Sequence, residues 1–247
     1  MRIIGFLLTL VAGIGIGAWA YVNGKIPAIF KPAMTSTSTT VPAGAKNVFK
    51  GNAVVELLSP KKPTDLFRDV KLVQPFGYID PRGVHWDVPA GYVTNGASIP
   101  PSLWGVVGGP FDGPYRDAAV LHDYYCEAKT RSSDDTHRMY YEAAVARGTS
   151  ESIASTMYAG IIFGGPKWEL VPKKAGFGFL IAQNTTTTTN QAGATVQVDK
   201  GLTNKDATPE QLKAVEEMKA WIIREKPSIE QIQKRAEEMR KATGVSK

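Results

Sequence analysis

The chain has 247 residues, a formal charge of +6 and ordinary apolar content, enough for a packed core. Its basic residues are dispersed, with no Lys/Arg run interleaved with aromatics, so no nucleic-acid partner is expected. Cys126 is the single cysteine, which excludes an intrachain disulfide and a cysteine-based zinc site of the kind that needs several thiolates.

The first feature in chain order is Ile3–Val22, IIGFLLTLVAGIGIGAWAYV, an uncharged run long enough to cross a hydrocarbon layer of ~30 Å. It reads as a retained transmembrane anchor. The alternative is a signal peptide with Arg2 as its basic start and Ala18-Trp19-Ala20 as a cleavage site. The expected division is therefore 1-24 as anchor or signal peptide, 25-46 as a Ser/Thr/Pro linker and 47-182 as the globular domain. A Thr-rich linker over 183-207 and a helical hairpin over 208-247 follow. The expected localisation is membrane-anchored, in a bacterial cell envelope or a phage-associated membrane, with the orientation left open by a nearly balanced count of flanking basic residues.

Within 47-182 the first half reads as strands. Ala53–Leu58 is a short apolar run, and Val84, Trp86 and Val88 alternate with His85, Asp87 and Pro89. The second half reads as three helices, over Pro114–Ala128, Ser133–Arg147 and Thr149–Phe163, with Gly164-Gly165-Pro166 as the stop. Strands followed by helices predict an α+β fold, a small β-rich half packed on a helical half with an antiparallel His-Asp helix pair. In the tail, Thr208–Gln211 and Ser228–Gln231 match the capping-box pattern and predict two short helices, a candidate protein-docking hairpin.

The chemistry-bearing residues gather on the helix pair. His122 shares a stripe with Ala118, Leu121 and Tyr125 and should face the partner helix, while Asp123 is rotated by about 100° toward a flank. On the next helix Asp134 and His137, three apart, share a face. An acid such as Asp134 that reaches His122 would fix it as a general base, and Asp123 would suit a hard cation. Before the helices, Tyr92–Pro100 is a turn-rich crossover in which Gly96 permits unusual dihedrals. Read for structure alone, the His-Asp pair only stitches two helices together.

The motifs VPAGYVTNGASIPPSLW, GPYRDAAVLHDYY, HRMYYEAAVARG and MYAGIIFGGPKW resemble domain-of-unknown-function family 1353 of bacteria and tailed phages, a resemblance covering about Trp86 to Trp168. It implies no settled activity. A looser similarity is to small bacterial phospholipases of the A2 type, through Asn95-Gly96-Ala97-Ser98 and His122-Asp123. That similarity implies His122 as base, Asp134 or Asp135 as its orienting acid, and Asp123 with Asn95 as calcium ligands. Asn95 stands for the aspartate of that loop, Cys126 for a tyrosine, and His137 occupies the place of the second-helix acid. The last departure suggests a zinc or iron site built from His122, Asp123, Asp134 and His137.

The sequence thus supports three expectations: a membrane-held, calcium-dependent lipid or ester hydrolase, a non-catalytic envelope or virion component, and a transition-metal hydrolase using His137.

Overall fold

The computed structural model describes residues 43–60, 69–97, 99, 105, 108–171, 186–199, 201 and 208–245. Among them are five helices and three small antiparallel sheets, an α+β arrangement. No helix among the described residues is long and apolar enough to cross a membrane. Among the described residues, that finding stands against the expected transmembrane helix and the membrane-anchored localisation built on it. The apolar run Ile3–Val22 itself lies outside the described residues.

The first sheet joins β1 (Val48–Lys50), β4 (Phe76–Ile79) and β5 (His85–Val88) in the order β1-β4-β5. Alternation in β5 is as the sequence predicts, with Trp86 and Val88 buried and His85 and Asp87 exposed. The β4–β5 turn is built on Asp80, whose carboxylate accepts the N–H groups of Arg82 (2.9 Å) and Val84 (2.8 Å). Such an aspartate turn needs one residue with positive φ, and Gly83 supplies it at +86°. The second sheet has the order β2-β3-β6, formed by β2 (Val55–Leu57), β3 (Val70–Leu72) and β6 (Val93–Thr94).

The helical half follows. Helices α1 (Arg116–Ala128) and α2 (Ser133–Ala146) are joined by the short turn 129–132 and pack side by side. Ser132 caps α2 by accepting the N–H of Asp135. Helix α3 (Glu151–Gly164) packs on α2. The principal core joins Trp86, Val88 and Tyr78 of the first sheet to Leu121 and Tyr125 of α1 and Met139 and Tyr140 of α2.

Where the sequence reading expects a Thr-rich linker, the chain forms a third sheet. Strands β7 (Lys167–Leu170), β8 (Thr186–Thr189) and β9 (Thr195–Asp199) pair in the order β7-β9-β8. Trp168, Val196 and Val198 form its buried face, against which Cys126 of α1 packs. Threonine's branched Cβ suits an extended strand, and the turn at Asn190 closes the hairpin by accepting from the N–H groups of Ala192 and Ala194.

The two tail helices, α4 (Pro209–Glu225) and α5 (Ile229–Ala242), begin with the capping boxes Thr208/Gln211 and Ser228/Gln231. Their apolar faces, Met218, Ile222, Ile232 and Ala236, pack on Tyr158, Ala159, Ile162 and Phe163 of α3. The hairpin is part of the folded body.

Candidate metal centre

The stripe geometry of α1 turns His122 toward α2, where it meets a second histidine. His122 Nε2 lies 2.9 Å from His137 Nδ1. One helical turn on from His122, Cys126 places its Sγ 3.5 Å from His122 Nε2 and 3.8 Å from Nδ1. His137 Nε2 lies 2.9 Å from the carbonyl oxygen of Pro166. The three side chains offer ligand atoms within 4.8 Å of one another.

These contacts fix the protons. A carbonyl oxygen only accepts, so His137 carries its hydrogen on Nε2 and presents a bare Nδ1 lone pair. His122 must then donate from Nε2, which leaves its Nδ1 to accept from the Cys126 thiol. The result is one directed chain, from Cys126 through His122 and His137 to Pro166.

Burial keeps every member of the chain neutral. It lowers the His122 pKa to about 4. His137, fully buried, is held well below the usual imidazole value by burial first and by neighbouring His122 second, against the opposing bond to Pro166. The Cys126 thiol is pushed up by burial, with the charge of Asp123 adding to it. Aromatic rings wall the group: Tyr140 lies edge-on to His122, and Trp168 edge-on to His137 at 5.6 Å between centroids. The Trp168 indole is anchored by donating to the carbonyl of Arg131 (2.7 Å).

The acids stand elsewhere. Asp134, expected to orient His122, is exposed at the start of α2. Asp135 is held by Ser132 and by Arg82, whose Nη1 donates to it at 2.7 Å. Asp123 turns to the crossover loop and accepts a hydrogen bond from the Thr94 hydroxyl, which in turn accepts the Gly96 N–H. Burial raises the Asp123 pKa to about 7, the Thr94 bond opposing and nearby Glu127 adding to the rise. Thr94 thus meets the aspartate one residue before Asn95, the expected loop ligand. Ser98 lies outside the described residues.

His137 therefore occupies the position beside His122 that an acid was expected to fill. Sequence reasoning did not single out Cys126 as a ligand. The signal was its spacing, since a residue four on from His122 lies on the same helix face. The Pro166 carbonyl and the Thr94 hydroxyl carried no such signal.

The fold and this site define a small α+β domain around a His-Cys-His cluster in which His137 is fully buried and His122 and Cys126 are partly so. Residues 70–161 match the model of a family described as "Protein of unknown function (DUF1353)", which supports the resemblance carried by the motifs. The chain is similar to "Uncharacterized protein y4iH" of Sinorhizobium fredii (strain NBRC 101917 / NGR234), 37% identical over 142 residues, covering 57% of this chain and 57% of that protein. It is also similar to "Uncharacterized protein y4jT" of the same organism, 43% identical over 111 residues, 45% of this chain and 32% of that protein. The chain thus spans 57% and 32% of the length of these curated relatives. No solved structure matches it.

The similarity to phospholipases of the A2 type is corrected by these findings. Neither the family match nor the relatives support it. The geometry also departs from it, because a histidine rather than a carboxylate bonds His122, and Asp123 is engaged by Thr94.

Proposed function

We propose that this domain is a metal-dependent hydrolase whose cation is held by His122 Nε2, Cys126 Sγ and His137 Nδ1. One observation carries the proposal. Two imidazoles and a thiol converge within 4.8 Å, and the outer N–H of His137 is tied to a backbone carbonyl. Tetrahedral zinc with bonds of ~2.0–2.1 Å to nitrogen and ~2.3 Å to sulfur spaces its ligand atoms by ~3.3–3.6 Å. The Cys126–His122 separation of 3.5 Å fits that spacing. The His122–His137 separation of 2.9 Å opens by a few tenths of an ångström when a metal replaces the shared proton.

Donor chemistry selects the ion. Thiolate and imidazole suit zinc, with iron the alternative, whereas calcium takes oxygen ligands. Both imidazoles are neutral at physiological pH; binding through His122 Nε2 displaces the hydrogen it shares with His137, while His122 Nδ1 takes the Cys126 thiol proton, so that one proton is released in all. The tie from His137 to Pro166 is the outer-shell bond that metal-binding histidines ordinarily make.

Three protein ligands leave a fourth position for water, the arrangement of catalytic rather than structural zinc. Zinc held by His122, Cys126 and His137 would supply an acidified water for hydrolysis. His122 and Cys126 each keep a minor part of their surface accessible, the side from which a small ester or amide would approach.

The test is metal analysis of the full chain, with hydrolysis of activated esters followed before and after chelation. One zinc per chain, and activity lost on chelation and restored by zinc, is the expected result. A chain that takes up no transition metal refutes the reading.

A second reading has its own observation. The hydrogen-bonded chain from Cys126 to Pro166 is complete without an ion, which suits a non-catalytic, structural role for these side chains. In that case His137→Gln would lower the melting temperature without any change in metal uptake.

A further inference from the structure

Arg240 lies on α5, far along the chain from the cluster, yet it is only 2% exposed. Its Nη1 donates to three carbonyls at the end of α3 and just beyond, Ile162 (3.3 Å), Phe163 (3.2 Å) and Gly165 (2.7 Å). Its Nη2 donates to Asp199 of β9 at 2.9 Å. The next carbonyl after Gly165 is that of Pro166, which accepts from His137. Asp199 in turn pairs across the sheet with Lys167, the residue after Pro166. One guanidinium thus grips the turn 165–166 from the helix side and the strand side together.

A buried arginine–carboxylate pair is weak evidence for stability, since desolvation cancels much of its attraction. Its value lies in fixing geometry. The end of a helix presents unpaired carbonyls and a partial negative charge, and a rigid five-donor fork satisfies several of them in one arrangement. Gly201 approaches the same turn so closely that a Cβ there would meet the carbonyl oxygens of Gly165 (2.4 Å) and Gly164 (2.5 Å). The turn is therefore clamped on more than one side.

We infer that Arg240 is a positioning residue for the metal centre: by clamping the 165–166 turn it aims the Pro166 carbonyl at His137 and so holds the Nδ1 lone pair toward the ion. The inference rests on the proposed metal site and assigns the C-terminal hairpin a part in it. The segment matching the family model ends at residue 161, so the clamp lies outside it.

The experiment uses the full chain in two forms. In the metal-free protein, nitrogen NMR of the histidine rings reports the tautomer. His137 should be a pure Nε2–H tautomer in the unaltered chain and a mixture in Arg240→Met. Cobalt(II) titration then reads affinity through the visible spectrum. Arg240→Met should weaken binding by about tenfold or more, the usual effect of losing an outer-shell partner. Arg240→Lys should recover part of the loss. Ile232→Ala, which removes packing from the same helix without touching the turn, serves as the stability control and should bind as the unaltered chain does. Unchanged tautomer and unchanged affinity in Arg240→Met would overturn the role given to Arg240. A changed tautomer with no cobalt uptake by the unaltered chain would uphold the clamp and refute the metal reading.

Discussion

His137 and Pro166 are joined by a hydrogen bond of 2.9 Å that decides which nitrogen of a buried imidazole is free to act. Because the carbonyl can only accept, the free lone pair points at His122, and the polarity of the whole cluster follows from that bond.

Removing His137 should be costly in the metal-free protein. The ring is fully buried, and its loss would leave the Pro166 carbonyl and the His122 N–H without partners. His137→Ala is expected to destabilise the fold by about 2–4 kcal/mol, from the cavity and the unsatisfied groups together. Urea unfolding of the two chains measures it. A difference below about 0.5 kcal/mol, the range of an ordinary surface substitution, would mean that the bond contributes little.

Cys126 gives a direct probe of how well the third sheet covers the cluster. It is the single thiol of the chain, and it packs on Trp168, Val196 and Val198. Val196→Asp puts a charge into that fully buried face and should loosen it. Reaction with a thiol reagent should then quicken about tenfold or more, the effect of lowering a local opening energy by ~1.4 kcal/mol. Equal rates would show that the sheet does not shield the thiol.

The Asp80 turn predicts a pH dependence. Burial alone would raise its carboxyl, but the Val84 N–H, the Trp86 indole and Arg82 outweigh burial and hold the pKa below its ordinary value. A carboxyl depressed in the folded state contributes stability above its unfolded pKa of ~3.9. That contribution is lost as pH falls through the folded value. Asp80→Asn should therefore lower the melting temperature by a constant amount between pH 7 and 5, and by progressively less below about pH 4. Thermal melts across that range provide the check, and a difference that grows in acid would reverse the assignment.

Much of the fold was legible because its signals are local. Alternation marked β5, the capping boxes marked both tail helices, and a short turn between two amphipathic stretches marked the helix pair. The partner of His122 was harder to read. Asp134 and His137 are three residues apart, so both lie near the same face of α2, and only burial separates them. The acid stays at the exposed first turn, where the helix dipole favours it, and the less costly neutral ring goes inside.

The third sheet was missed for a different reason. Five threonines in a row look like a solvated linker, yet their partner strands are β9 and, beyond it, β7, which the chain reaches only after folding back. The alternation of Val196 and Val198 with Thr195, Gln197 and Asp199 was the available clue.

The central claim is a metal held by one sulfur and two imidazole nitrogens, and X-ray absorption of the zinc-loaded chain tests it most directly. The account predicts a first shell with one sulfur at ~2.3 Å and nitrogen or oxygen donors at ~2.0–2.1 Å, with the sulfur lost in Cys126→Ser. A shell made wholly of oxygen donors, or one unchanged by that substitution, would contradict it.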